Sequence, residues 1–199
     1  MKVEPFDIAD AWLCTPNVFG DDRGVFLEWF RADALAEATG RSFTVVQANH
    51  STSRAGSVRG VHFADVPPGQ AKYVYCPRGR VLDIVVDLRV GSPSFGASSS
   101  VVLDDVDRRG LFISEGLGHA FCALTDDTSV TYLVSSVYNP TAEHGVHPLD
   151  AELALPWPGD LDVVLSPKDA AAPSLAAARE SGLLPSYDDC QRLYQSLLG

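Results

Sequence analysis

The stretch AKYVYCPRGRVLDIVVDLRVGS, residues 71–92, decides the fold. Two runs rich in β-branched and aromatic side chains flank Pro77-Arg78-Gly79, and this spacing predicts two strands joined as a hairpin. On the return strand, period-two alternation sends Leu82, Ile84, Val86 and Leu88 to one face and Val81, Asp83, Val85, Asp87 and Arg89 to the other. The first face reads as core and the second as mixed. The same texture recurs in FTVVQANHS (43–51), SSSVVLDD (98–105) and TSVTYLVSSVYNP (128–140), each run bounded by turn residues. A series of short alternating strands predicts a mainly β sandwich or small barrel.

Helix signals lie towards the margins of the chain. RADALAEATG stops at Gly40, PSLAAARESG stops at Gly182, and SYDDCQRLYQSLL opens on Ser186 with two acids in its first turn. With 199 residues and 46% hydrophobic composition, the length favours one domain spanning 1–199, its β core over about 20–165 and a helical segment over about 170–199.

Acids outnumber bases 26 to 15, a net charge of −11, which argues against a nucleic-acid or membrane surface built on clustered Lys and Arg. A local basic pocket is still allowed, because charges are screened over about 8 Å at physiological salt. No charged leader precedes an apolar run, so a soluble, cytoplasmic protein is expected. Cys14, Cys76, Cys122 and Cys190 form no C-x-x-C and read as reduced thiols.

The polar residues inside the strands are the candidates for chemistry. Lysine is scarce, yet Lys72 falls close to His62 in RGVHFADVPPGQAK (59–72), and Lys168 stands beside Asp169 in the turn-like LSPKD (165–169). Tyr132 and Tyr138 share a face on a regular strand, as do Gln47 and Asn49. Strand aromatics packing across a sheet and an exposed amide face account for these pairs as well as a wet interior does. Arg59 and His62 are three apart, so a flat strand would send them to opposite sides. Either a bulge intervenes or one of them belongs to a turn. Taken alone, His62 reads more readily as a structural histidine than as a working one, and His119 reads equally as either.

Taken in order, DDRGVFLEWF (21–30), QANHS (47–51), RGVHF (59–63), GQAKYV (69–74), VLDIVVDLRVGSPSFG (81–96), GLGHAF (116–121), TYLVSSVYNP (131–140) and LSPKD (165–169) resemble the dTDP-4-dehydrorhamnose 3,5-epimerase family over most of the chain. The resemblance implies a cupin-type jelly-roll sandwich. It also implies a homodimer, a dTDP-4-keto-6-deoxyhexose substrate, and neither metal nor organic cofactor. RGVHFAD carries a single histidine where a metal-binding cupin usually has an H-x-H pair.

By the same resemblance His62 is the base, Asp169 the carboxylate that orients it, Tyr132 the acid on the opposite face and Lys72 the cation at the C4 oxygen. Arg23, Glu28, Gln47, Asn49, Arg59, His119, Glu143 and Lys168 match substrate-binding positions, and Tyr138 the aromatic that stacks on thymine. The family's N-terminal segments cross to a partner subunit, so Arg23 and Glu28 are expected to serve the neighbouring site. Ala48, Phe63, Ser114 and Ala120 depart from the common pattern without removing a proton-transfer group. AKYVYCPRG, GHAF and GLLPSY resemble the subgroup of antibiotic deoxysugar pathways, which includes members that invert only one carbon, C3 or C5. A 3,4-ketoisomerase and a non-catalytic sugar-nucleotide-binding cupin are the competing readings.

Overall fold

The stretch 71–92 holds two strands, as its alternation predicts, but they do not form a hairpin. In the computed structural model, which describes residues 1–198, Lys72–Arg78 and Arg80–Asp87 belong to different sheets, and the chain turns the corner between them at Gly79. Gly79 has φ 80°, and a Cβ there would lie 2.5 Å from Thr128 Oγ1. The turn signal was genuine; what it joins could not be read locally, because both strands are buried on both faces and find other partners.

In chain order the elements are β1 (Lys2–Pro5), β2 (Ala11–Thr15), β3 (Val18–Asp21), β4 (Gly24–Leu27), α1 (Ala32–Thr39), β5 (Gln47–Ser53), β6 (Val58–Ala64), β7 (Lys72–Arg78) and β8 (Arg80–Asp87). There follow β9 (Ser98–Asp104), β10 (Gly110–Ile113), β11 (Leu117–Ala123), β12 (Thr128–Val134), β13 (Glu143–Gly145), α2 (Pro167–Ala170), α3 (Leu175–Glu180) and α4 (Tyr187–Leu197). A six-stranded sheet in the order β1-β2-β10-β7-β12-β5 packs on a five-stranded sheet in the order β13-β6-β11-β8-β9, and β3 and β4 form a separate pair. The named pairings are antiparallel throughout, the two-sheet sandwich expected from the strand series. The six-stranded sheet begins at Lys2, ahead of the expected core boundary near residue 20, since β1 and β2 are too short for their alternation to show.

The apolar face of β8 is core and the other is mixed, as the sequence reads, but both faces are buried. Val81 and Val85 pack with Val74, Leu111, Ile113 and Val130 of the other sheet, so the mixed face is the sandwich interior. The all-apolar face, with Ile84, Val86 and Leu88, is covered from outside by Leu153, Leu155, Leu175, Ala178 and Leu184. A surface hidden by the C-terminal segment must be apolar throughout, whereas the interior can carry Asp83 and Asp87 wherever partners meet them. Asp87 meets Arg89, fully buried, through two bonds of 2.9 Å.

The helical margins follow their caps. The Ser174 and Ser186 hydroxyls accept from the N–H groups of Ala177 and Asp189, and Gly40 closes α1 with φ 73°. LSPKD, expected as a turn, is instead a one-turn helix, with Pro167 in the first position and Ser166 as its N-cap. No helix among the described residues is long and apolar enough to cross a membrane.

The parity problem on β6 is solved by a bulge. Between the pairs His119–His62 and Phe121–Arg59, β11 uses one residue and β6 uses two, so Arg59 and His62 both turn towards the sandwich. Gly60 makes the bulge possible: its φ is 121°, and a Cβ would lie 2.5 Å from the His119 carbonyl oxygen.

Candidate active site

The sheets part at one end around a cavity of about 320 Å³. From the six-stranded sheet, Lys72 and Val134 lie in register with Gln47, and Tyr132 with Asn49, so period-two spacing brings Lys72, Tyr132, Gln47 and Asn49 to one wall. The five-stranded sheet supplies Arg59 and His62 from β6, His119 and Phe121 from β11, and Glu143 and His144 from β13. Lys168 and Asp169 come from α2. Every residue expected at the site lines this cavity except Arg23 and Glu28.

His62 and Asp169 form the first working pair, with Nε2 2.7 Å from Oδ1. The other carboxylate oxygen accepts from Ser166 Oγ at 2.9 Å. Burial pushes the Asp169 carboxyl up, but the bonds from His62, Ser166 and the Gly60 backbone outweigh it and hold the group below the usual carboxylate range. An ionised carboxylate only accepts, so His62 Nε2 carries the proton and Nδ1 is left as the basic nitrogen. A bond between β6 and α2 thereby fixes both tautomer and ring, the arrangement a general base requires.

Tyr132 faces it from the opposite sheet. Burial, then the nearby Glu143 carboxylate, push the phenol above its ordinary value, and Arg59 pulls only partly the other way. The hydroxyl therefore keeps its proton at neutral pH and is available as an acid. An imidazole on one sheet and a phenol on the other thus line the same cavity.

Lys72 is buried and donates to Gln70 Oε1, while Gln70 Nε2 donates to Glu143 Oε1 at 3.1 Å. Burial pushes the ammonium down to about 8, and the charges of Glu143 and Glu115 partly restore it. A second histidine–carboxylate pair stands alongside, with His119 Nε2 3.0 Å from both oxygens of Asp83. Asp83 went unassigned in the sequence, although an acid between Val81 and Val85 on a strand face was the signal. Ser51, Gln70, Phe121, His144 and Ser166 were also passed over. Of these, Ser51 had a legible cue in its even spacing from Gln47 and Asn49, and its buried hydroxyl has no hydrogen-bond partner among the described residues.

One placement differs from the sequence reading. Tyr138 does not share a strand with Tyr132, because β12 ends at Val134; it sits in the following loop, 55% exposed, with its backbone N–H donating to Gln47 Oε1 at 3.1 Å. Arg23 and Glu28 lie on and just after the β3–β4 hairpin, outside the cavity. Arg23 pairs with Asp21 and Glu28 with Arg31, all at the surface. No cluster of three or more His, Cys, Asp or Glu placed to hold a metal occurs among the described residues.

A cupin-type sandwich with an oriented imidazole, an opposed phenol and a buried ammonium around one polar cavity defines a proton-transfer enzyme. The profile of the dTDP-4-dehydrorhamnose 3,5-epimerase family matches residues 5–177, and the chain belongs to that family of dTDP-sugar epimerases. The dTDP-4-dehydrorhamnose 3,5-epimerase of Mycolicibacterium smegmatis is 52% identical over 197 residues, covering 99% of this chain and 97% of its own. Among solved structures, a 4-keto-6-deoxy sugar epimerase from the novobiocin biosynthetic gene cluster of Streptomyces spheroides superposes with a TM-score of 0.94 at 54% identity over 96% of each chain. A 3'-monoepimerase from Streptomyces bikiniensis, in complex with dTDP-quinovose, gives 0.95 at 44% identity over 98% of each chain.

Proposed function

We propose that this protein inverts C3, C5 or both in a dTDP-4-keto-6-deoxyhexose, in the synthesis of an antibiotic deoxysugar. The opposition of the His62–Asp169 pair and Tyr132 across one cavity carries this reading. A ketone at C4 acidifies the neighbouring C–H bonds. His62 Nδ1 takes the proton, the bonding pair moves into the ring as an enolate, and the charge collects on the C4 oxygen beside Lys72. Tyr132 then protonates the carbon from the other face, and the imidazolium and phenolate return to their starting states by exchange with water.

Arg59 and Lys168 are suited to the diphosphate, Tyr138 to the thymine ring, and Gln47, Asn49, His119 and Glu143 to polar groups of the bound sugar nucleotide. The reaction needs no metal and no organic cofactor, because ketone and acid–base pair supply all of its chemistry. The test is turnover of dTDP-4-keto-6-deoxy-D-glucose in D₂O. Deuterium at C3 alone, at C5 alone or at both is the expected result and identifies the carbon, whereas incorporation at neither, or a keto group moved to C3, overturns the reading.

Arg23 and Glu28 fit the reading as groups donated to a neighbouring subunit of a homodimer. Phe19 and Phe26, 59% and 67% exposed on the same hairpin, are the kind of surface a second copy would cover. Sedimentation should show a dimer; a fully active monomer overturns this assignment. The four buried thiols fit a reducing cytoplasm.

A further inference from the structure

Gln70 stands between Lys72 and Glu143, and the chemistry above gives it no task. It is buried, 9% exposed, in the turn ahead of β7. Its Oε1 accepts from the Lys72 ammonium, while Nε2 donates to Glu143 Oε1 at 3.1 Å and to the Ser136 carbonyl at 3.3 Å. Only one orientation of the amide satisfies these neighbours: Glu143 and the carbonyl can only accept, and an ammonium can only donate.

We propose that Gln70 is a positioning residue for the proton transfer, a neutral spacer that holds the Lys72 ammonium at the C4 oxygen and prevents it from closing an ion pair with Glu143. The inference rests on the assignment of Lys72 to that oxygen. An ammonium in direct contact with a carboxylate forms a dipole, whose field at the developing enolate is weaker than that of the free cation. Interposing an amide satisfies both charged groups and cancels neither. One of the three N–H bonds of Lys72 is taken by Gln70, and the others remain for the substrate.

The protonation of Lys72 is set by all the groups that face it. Glu143 on β13 and Glu115 in the turn before β11 favour the ammonium against its burial. Tyr132, His62 and His119 line the same cavity. The charge is therefore sensitive to its nearest neighbour, which makes Gln70 testable by more than loss of rate.

The experiment compares Gln70→Met, which keeps the length of the side chain but removes both polar ends, with Gln70→Glu, which sets an anion against Lys72. Turnover of dTDP-4-keto-6-deoxy-D-glucose is followed against pH, with dTDP affinity and thermal midpoint as controls for folding. In Gln70→Met, kcat is expected to fall about 10²-fold, the scale of a misplaced catalytic group, with KM and dTDP affinity unmoved. Its alkaline limb should move to higher pH, because the freed ammonium closes on Glu143 and a carboxylate favours the charged form more than an amide oxygen does; in Gln70→Glu, which sets a carboxylate directly on the ammonium, that limb should move to higher pH as well. Wild-type kcat and an unmoved limb in both folded variants would show that Gln70 only packs, and would overturn the proposal. If Gln70→Met does not fold, the direction of the shift in Gln70→Glu decides. Lys72→Met separates the two levels of the argument: wild-type turnover there overturns the assignment of Lys72 itself.

Discussion

Replacement of His62 by asparagine is expected to lower kcat by about 10²–10⁴-fold, the range that a positioned general base contributes. Asparagine keeps a polar group at the bulge but is too short to reach Asp169, whose carboxylate keeps its bonds from the Ser166 hydroxyl and the Gly60 backbone. It carries no group that takes up a proton near neutral pH. The loss should fall on kcat, with KM and dTDP affinity close to wild type, because an interaction used only in the transition state is removed. Wash-in of solvent deuterium should cease in the same proportion, since no enolate forms. A variant that keeps wild-type exchange would show that another group removes the proton, and the His62–Asp169 contact of 2.7 Å would then be structural.

How far the fold was legible depended on whether each signal was local. Alternation along 71–92 needs only its own residues, and the strands are there. Which strand pairs with which depends on distant segments, so a turn at Gly79 that looked like a hairpin is a crossing between sheets. What covers each face of β8 was hidden for the same reason: burial of the apolar face under the C-terminal segment is written in Leu175, Ala178 and Leu184, far along the chain, and only the contact discloses it. The bulge at Gly60 lay between these cases. Spacing alone demanded it once Arg59 and His62 were both set in the pocket, and the register with β11 supplies it.

At the site, the groups matched by the family motifs were legible and those that support them were not. Asp83, Ser166 and Gln70 act by touching another polar side chain, and nothing in their own spacing names that partner. Asp169 was found beside Lys168 by resemblance, while the N-cap by which Ser166 turns it towards His62 required α2 to be a helix. Arg23 and Glu28 match motif positions yet stand apart from the cavity of their own chain, on and just after the β3–β4 hairpin.

The second large effect belongs to Tyr132, and it distinguishes inversion from proton removal. In Tyr132→Phe the base, its carboxylate and the cation at the C4 oxygen are all retained, so the enolate should still form. What is lost is the acid on the six-stranded sheet. Formation of the inverted product should fall by about 10²–10⁴-fold, whereas exchange with solvent continues, because His62 returns to the same face a deuteron acquired from D₂O. The labelled sugar recovered should therefore keep its starting configuration, which proton NMR of the ring hydrogens reads directly. Equal loss of exchange and inversion would mean that Tyr132 is needed before the proton leaves, as an electrophile at the ketone and not as the acid. Inversion at the wild-type rate would remove it from the mechanism, since a phenyl ring in the same wall has no proton to give. The split between the two readouts follows from the proposed roles: His62 and Tyr132 stand on different sheets, so the group assigned as acid can be removed without the one assigned as base.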